Sequence, residues 1–422
     1  MKKLLILGGN YSTVLVVKYA QAMGIHTIVT SINPKGEAKD IADESIDIDV
    51  TDHEALAAYI KENNIDGVMT GASEFHLLNM IRLCKKAGLP VYATEEQWNI
   101  CQNKLAFKEL CRKYDVPCVK EFYIQDGPKN FDYPVIVKPS DGCSARGITV
   151  CQNVAEFEVA AEKALENSTE KKLIIEKFIE NKGTTISVKY IAVDGELYLE
   201  AVGDRYVLDS EKGKALITAA AFYPSKYTDF YIENVDARVK AMFKGIGLKN
   251  GVLFMEAIAN PEGIWFYEMG LRISGGMTYK ITEQTNDVNE LKMLINHAVS
   301  GTMCNKDDVK KIDPHLNGYI SASITLPLRE GTISKIAGID KIKSYSDIGD
   351  ITLYWYEGDT ILPKHIGTLD QLFARIPIIT KGKANLDNII FAIKENISVL
   401  DEYGKEMIIW SKLDEIHKSY SN

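Results

Sequence analysis

The first hundred residues alternate two kinds of apolar run, and that alternation limits the fold more than any other feature of the chain. KLLILGG reads as a strand, STVLVVKYAQAMG as a helix closed by Gly24, and IHTIVTS as a second strand, which makes a β-α-β unit of ordinary length. TDHEALAAYIKENN opens on a good N-cap and reads as helical, GVMTG as a buried strand, EFHLLNMIRLCKKAG as a helix closed by Gly88, and LPVYA as a further strand. Strands joined through helices must cross over, so the pattern predicts a parallel sheet covered on both faces. Ligands in such sheets sit beyond the strand C-termini, which puts Gly8-Gly9-Asn10 and Thr70-Gly71-Ala72-Ser73-Glu74 at the edge of a site. GGNYST is not the G-x-G-x-x-G of a dinucleotide fingerprint, so a nicotinamide-binding reading has weak support.

With 422 residues the chain exceeds one ordinary core, and two or three domains are expected. Its net charge of -9 speaks against a general nucleic-acid binder. The apolar run of MKKLLIL stops at Gly8-Gly9-Asn10, short of a signal-peptide core, and nothing later approaches a span of about 20 apolar residues. Seven cysteines, odd in number and without C-x-x-C, indicate neither a disulfide framework nor a zinc site, and a reducing cytoplasm is expected. Seven scattered histidines show no metal-ligand spacing.

The stretch YPVIVKPSDGCSARGITV, residues 133–150, places Gly142 and Gly147 as a phosphate-cradling loop would, yet Ile148 and Thr149 follow in place of the Lys and Ser/Thr of a P-loop. The lysine, Lys138, stands before the loop instead, at the end of the run Val135, Ile136, Val137, with Pro139 behind it. This reads as a hairpin flap able to fold over phosphates. LIIEKFIE, residues 173–180, is another apolar strand. TISVKYIAV and ELYLEAV are alternating strands joined by Asp194-Gly195, a strong hairpin turn. After about residue 305 short strands and turns follow, including ITLYWYEGDTI, and the chain ends in helices around NLDNIIFAIKENISVLDEYG.

A second hairpin carries the chemistry. GVLFMEAIA and IWFYEM put Glu256 and Glu268 at nearly equal distances from their turn, so pairing sets them roughly opposite, with Cβ atoms about 5 Å apart. Like charges so placed are destabilising unless a cation lies between them, and Mg²⁺ takes one or two carboxylates while keeping positions for water and phosphate oxygens. Two solvated glutamates on an edge hairpin are the plainer alternative, weakened by the apolar neighbours in LFMEAI and WFYEMG. Arg272 and the flexible Ser274-Gly275-Gly276 follow, a forked cation and a backbone that permits close approach of a ligand. Arg205, in VGDRYVL, is either a ligand for an acceptor carboxylate or γ-phosphate, or a surface arginine paired with Asp204. Ser73 and Glu74 either help bind a substrate amine or simply cap a helix.

Taken in order, these features resemble the ATP-grasp superfamily, in the branch of biotin carboxylase and the carbamoyl phosphate synthase large subunit. The resemblance implies a parallel α/β domain over residues 1–97, an ATP-grasp domain over 98–304 with a mobile lid at roughly 115–178, and a smaller α+β domain over 305–422. It implies ATP and Mg²⁺, with Mn²⁺ a possible substitute. Lys104 in QNKLAFKEL and Lys138 resemble the family's two lysines, the lid would cover phosphates with Ser140, Ser144 and Gly147, and Arg146 is either a phosphate contact or an exposed loop residue. Glu176, Lys177 and Ile179 resemble the adenine hinge, Glu256 and Glu268 the metal ligands, and Arg272 the residue at the reacting phosphate. Two positions depart from the pattern. The usual Asn after the second metal glutamate is Gly270, which bears on a second Mg²⁺, and the ribose-binding glutamate aligns with Thr185.

The reaction implied is activation of a small carboxylate as an acyl phosphate and its capture by an amine, with release of ADP and phosphate. The alternatives are a bicarbonate-using carbamoyl phosphate synthase-like or carboxylase component, and an ATP-binding protein without turnover. No lysine flanked by methionines marks a biotin carrier segment. Homodimers are usual among proteins of this kind.

Overall fold

The computed structural model describes residues 1–9, 11–140, 148–168, 171–180, 184–207, 218–411 and 413–414. The expected parallel sheet is present, with β1 (Lys3–Leu7), β2 (His26–Thr30), β3 (Glu44–Ile46) and β4 (Gly67–Thr70) in the order β3-β2-β1-β4. The central strands β1 and β4 are nearly continuous buried runs because helices cover them, while the edge strand β3 is largely exposed. One covering helix, Glu290–Ser300, comes from far along the chain and lies so close that a Cβ at Gly67 would stand 2.1 Å from the Ala298 carbonyl oxygen.

LPVYA does not become a strand. Its hydrogen bonding goes elsewhere: Leu89 N–H caps the preceding helix at Cys84 O, and the buried Tyr92 donates its hydroxyl to Leu271 O at 3.3 Å. The segment therefore ties the N-terminal sheet to the carboxylate hairpin.

A second sheet, in the order β5-β8-β6-β7, is built from β5 (Glu121–Phe122), β6 (Val135–Pro139), β7 (Thr149–Cys151) and β8 (Leu173–Lys177). The flap of residues 133–150 is the β6–β7 pair, Val135 opposite Cys151. Pro139 ends β6, past the last β7 pairing at Val137, so its missing N–H breaks no bond to that strand. Val135, Val137, Ile175 and Phe157 fill a small core on one face. Alternation turns Ile136, Lys138, Ile174 and Glu176 to the other.

The remaining strands are β9 (Thr184–Val193), β10 (Glu196–Val207), β11 (Thr218–Tyr223), β12 (Gly251–Asn260), β13 (Gly263–Gly270), β14 (Ile320–Pro327), β15 (Gly331–Ala337), β16 (Thr352–Leu353), β17 (Thr360–Ile361), β18 (Leu372–Thr380) and β19 (Ser398–Asp401). Eight of them form one sheet, β13-β12-β9-β10-β11-β14-β18-β16, and β17-β15-β19 form another. Asp194 and Gly195 both take positive φ, 49° and 85°, as a two-residue hairpin turn requires. The final expected helical stretch divides: Lys383–Asn396 is helical, while Ser398–Asp401 pairs with β15 as β19, its Val399 buried.

Candidate active site

The two carboxylates are direct partners, Glu256 opposite Glu268, and a β-bulge is what makes them so. From the turn, Ile258 pairs with Trp265 and Ala257 with Phe266, after which the register slips past Tyr267. Unbulged pairing would set Tyr267 opposite Glu256 and turn Glu268 to the other face. With the slip, Tyr267 and Glu268 share the face of Glu256, and the Tyr267 hydroxyl donates to Glu256 Oε2 at 2.9 Å. Burial, and then the charge of Glu256, push the Glu268 carboxyl above its ordinary range, while Lys104, Arg205 and Lys138 oppose them. The structure thus brings four expected residues, Glu256, Lys104, Arg205 and Lys138, around the Glu268 carboxylate.

Arg205 belongs to this site. Its guanidinium forms an ion pair with Glu256, and Thr218 Oγ1 accepts a bond from its Nη2 at 2.8 Å. The Asp204 pairing is not made: Asp204 accepts from Ser225 Oγ at 2.6 Å on the opposite face. Thr185 of β9, paired with Arg205 of β10, keeps a buried hydroxyl that has no hydrogen-bond partner among the described residues.

The lid sheet contributes a second charge centre. Lys138 Nζ donates to Glu176 Oε2 at 2.6 Å, and the fully buried Lys108 pairs with Glu176 and, at 3.3 Å, with Glu121. Burial raises the Glu176 carboxyl, but Lys138 and Lys108 outweigh it and hold it below the usual range. Burial lowers Lys138, against the pull of Glu176. Lys108 had a sequence signal: it lies four residues after Lys104, on the same helix face. The Lys177 ammonium points away, to Asp132 at 3.0 Å. The N–H groups of Lys177 and Phe178 donate to Lys120 O and Pro134 O. Ile179 follows, half-buried. Lys104 and Ser140 line a cleft of about 800 Å³ with Glu121, Tyr123 and Ile174, and the other expected residues that the structure describes lie outside its lining. Ser144, Arg146 and Gly147 lie outside the described residues.

Arg272 is held from the N-terminal sheet. Its Nε pairs with Glu74, whose other oxygen accepts from Trp98 Nε1 at 3.1 Å, and its guanidinium lies 5.1 Å from the Phe254 ring centre. Ser73 is an N-cap, accepting from His76 N–H at 3.3 Å, so the capping reading holds for Ser73 while Glu74 reaches the site. Phe254 is opposite Gly270, where a Cβ would stand 2.6 Å from the ring. Beyond Phe254 on the same face, Lys189 is paired with it across β9 and donates to Ser274 Oγ. Sequence reasoning missed Lys189 and Phe254, which only strand order makes neighbours, and Trp98, which reaches the site from a helix through Glu74.

An antiparallel sheet bearing paired carboxylates, a four-stranded lid bearing a lysine, and an α/β domain that supplies a clamp to the arginine together make the arrangement expected of an ATP-grasp protein, and the chain resembles that superfamily. Residues 103–269 match the family described as D-ala D-ala ligase C-terminus. The chain is 23% identical over 351 residues to a formate-dependent phosphoribosylglycinamide formyltransferase of Sulfurisphaera tokodaii, covering 81% of this chain and 85% of that one. It is 23% identical over 309 residues to an L-arginine-specific L-amino acid ligase of Bacillus subtilis, covering 69% and 70%. Among solved structures, phosphoribosylglycinamide synthetase from Anaerococcus prevotii superposes with a TM-score of 0.78 at 21% identity, covering 95% of this chain and all of that one. L-amino acid ligase from Bacillus licheniformis superposes with a TM-score of 0.74 at 18% identity, covering 95% and 99%. At these identities the structures show the fold.

Proposed function

We propose that the protein is an ATP-dependent ligase that activates a small carboxylate as an acyl phosphate and joins it to an amine, releasing ADP and phosphate. The observation that carries this reading is the bulged hairpin, which sets Glu256 and Glu268 face to face with Lys104, Lys138 and Arg205 acting on them. Relatives named as ligases of amino acids and of phosphoribosylamine support it.

The donor set fits a hard divalent cation, since two half-buried carboxylates set opposite each other call for positive charge between them. Glu256 and Glu268 would hold Mg²⁺, or Mn²⁺ in its place, and the ion would supply charge to the phosphate oxygens. The chain's own residues do the rest. Lys104 and Lys138 bind phosphate oxygens, with Ser140, Ser144 and Gly147 of the lid covering them. Lid closure excludes water from an intermediate prone to hydrolysis. The adenine edge is read by the backbone around Glu176, Lys177 and Ile179, with Ile179 the principal donor, since the Lys177 and Phe178 N–H groups are engaged within the lid. Arg272, oriented by Glu74 and Phe254, stabilises charge on the transferring phosphoryl group. Arg205 balances Glu256 beside it.

In the same reading, residues 1–97, 98–304 and 305–422 are the three functional domains, the protein works in the cytoplasm, and two copies pair as a homodimer. Among the described residues no helix is long and apolar enough to cross a membrane.

The test is incubation with MgATP and pools of amino acids and small carboxylates, following ADP and phosphate, with Glu268→Gln alongside. ADP release that requires one pool and falls at least about a hundredfold in the variant is the expected result. ATP binding with no turnover in any pool would return the protein to the non-catalytic alternative, and dependence on bicarbonate would move it to the carboxylase alternative.

A further inference from the structure

The proposed reaction uses no thiol, yet two cysteines lie together where the chain enters the lid sheet. The helix Lys104–Lys113 carries Cys111 in its last turn. Beyond it the chain reverses at Asp115, which takes a φ of 55°, and Val116 N–H donates to Cys111 O at 2.9 Å. The reversal brings Cys118 back beside Cys111, close enough for the Cys111 thiol to donate a hydrogen bond to the Cys118 sulfur. Cys111 is buried and Cys118 half-buried, so solvent reaches Cys118 first. On its other side Cys118 bridges Phe266 of β13, with Phe266 N–H donating to Pro117 O at 3.0 Å and Val119 N–H to Phe266 O at 3.1 Å. Three residues after Cys118, Glu121 opens β5 of the lid.

The charges around the pair favour a thiolate at Cys118. Lys108 and Arg112, on the same helix as Cys111, act on it, and Glu121, which pairs with them at 3.3 Å and 3.0 Å, opposes them. The hydrogen bond from Cys111, aided by the two cations, lowers the Cys118 thiol in spite of its burial, while the same bond and then burial raise Cys111. Burial raises the thiols of Cys84, Cys101, Cys151 and Cys304 instead. A thiolate flanked by cations, with a second thiol against it, is the arrangement that reacts with a peroxide and then closes to a disulfide.

We infer that Cys118 and Cys111 form a redox site at the root of the lid, where a hydroperoxide oxidises Cys118 and Cys111 resolves the product as a disulfide that restrains the lid. The Cys118 sulfur attacks one peroxide oxygen and the O–O bond breaks. Sulfur gives up two electrons, and the reduced half of the peroxide leaves as hydroxide or alkoxide. The Cys111 sulfur then displaces the hydroxyl of the sulfenic acid, which departs with the Cys111 proton as water while the S–S bond forms. This bond ties the helix that begins at Lys104 to the segment entering β5, leaving the lid less free to close. Formation of the bond does not depend on the ligase reading; its effect on nucleotide rests on the lid closure in that reading.

The test treats the reduced full-length protein with a few equivalents of hydrogen peroxide and maps its peptides by mass without reduction. Trypsin cuts after Lys108, Arg112, Lys113 and Lys120, so the two cysteines fall on separate peptides. The expected product is a Cys111–Cys118 linkage that dithiothreitol reverses. Cys118 is expected to react with iodoacetamide at neutral pH at least about tenfold faster than the half-buried Cys304. Cys111→Ser is expected to stop at a sulfenic acid on Cys118, trapped by dimedone, and Cys118→Ser to abolish the linkage, so either variant decides should the other unfold. MgATP binding, followed by calorimetry, is expected to weaken at least about threefold on oxidation and to recover with dithiothreitol. Peroxide that leaves both thiols free, a linkage of Cys118 to any other cysteine, or equal MgATP affinities before and after oxidation would overturn the inference. If no carboxylate pool supports ADP release while the reversible linkage still weakens MgATP, the ligase reading falls and the redox site stands.

Discussion

At position 270 the structure uses the lack of a side chain. The Phe254 ring occupies the space a Cβ would need and stacks against Arg272, so a residue larger than glycine must displace the platform on which the arginine rests. Gly270→Ala is expected to cost about 1–3 kcal/mol in urea unfolding. The cost should shrink when Phe254→Ala is combined with it, and additive effects would refute the contact as its cause. A second residue-scale expectation concerns Glu200 and Glu290, both buried. Burial pushes each carboxyl up, Glu290 adds to the rise of Glu200, and Lys189 opposes both. A folded-state pKa above the unfolded value means that the native state holds the extra proton. The associated stability is therefore full below the unfolded carboxylate value of about 4.3 and is lost as pH rises through the folded one. Glu290→Gln, which cannot ionise, is expected to flatten that fall, matching wild type at low pH and exceeding it by roughly 1–3 kcal/mol at pH 9. Unfolding curves at both pH values decide it, and parallel profiles would refute it. The acidity of this pair was not legible in the sequence, because Glu200 and Glu290 lie 90 positions apart.

Between elements, charge rather than apolar area decides how the lid meets its base. Glu176 collects Lys138 from β6 and Lys108 from the helix Lys104–Lys113, and Glu121 of β5 shares Lys108. Removing the shared anion leaves two cations facing each other in a poorly hydrated space. Glu176→Gln is accordingly expected to lose roughly 3–5 kcal/mol of stability and to weaken ATP binding through a displaced Lys138. Calorimetric titration of ATP together with urea unfolding would check both, and an unchanged unfolding midpoint would show the network to be dispensable. The lid strands themselves were readable from apolar runs and turn residues, as was the lysine at the end of β6. The hinge was read for its backbone alone, because a carboxylate in LIIEKFIE carries no mark of which cations will surround it. The bulge at Tyr267 is the sharper case: FYEM alternates in sequence, and only pairing with β12 shows that two successive residues face the same way.

Over the whole molecule, one sheet joins stretches that sequence composition separates. Strands from residues 184–270 carry the carboxylates, and β14, β18 and β16, from residues 320–380, extend the same sheet past β11. A chain ended after residue 304 would leave β11 an open edge and expose the faces that pack Phe222 and Tyr206 against Ile324 and Phe373. That truncation is expected to be insoluble or to aggregate in gel filtration, and a well-folded monomeric product would contradict it. The sequence by itself determined the strand–helix alternation of the first hundred residues, the hairpin turns, and the residue types proposed for a phosphate and metal site, because each is a local matter of period, turn chemistry or charge. Tertiary structure alone decided that LPVYA packs instead of pairing, that Arg205 answers Glu256 instead of Asp204, and that Glu74 holds Arg272 from another domain. Those outcomes depend on which distant groups share a desolvated space, and neither spacing nor composition records that.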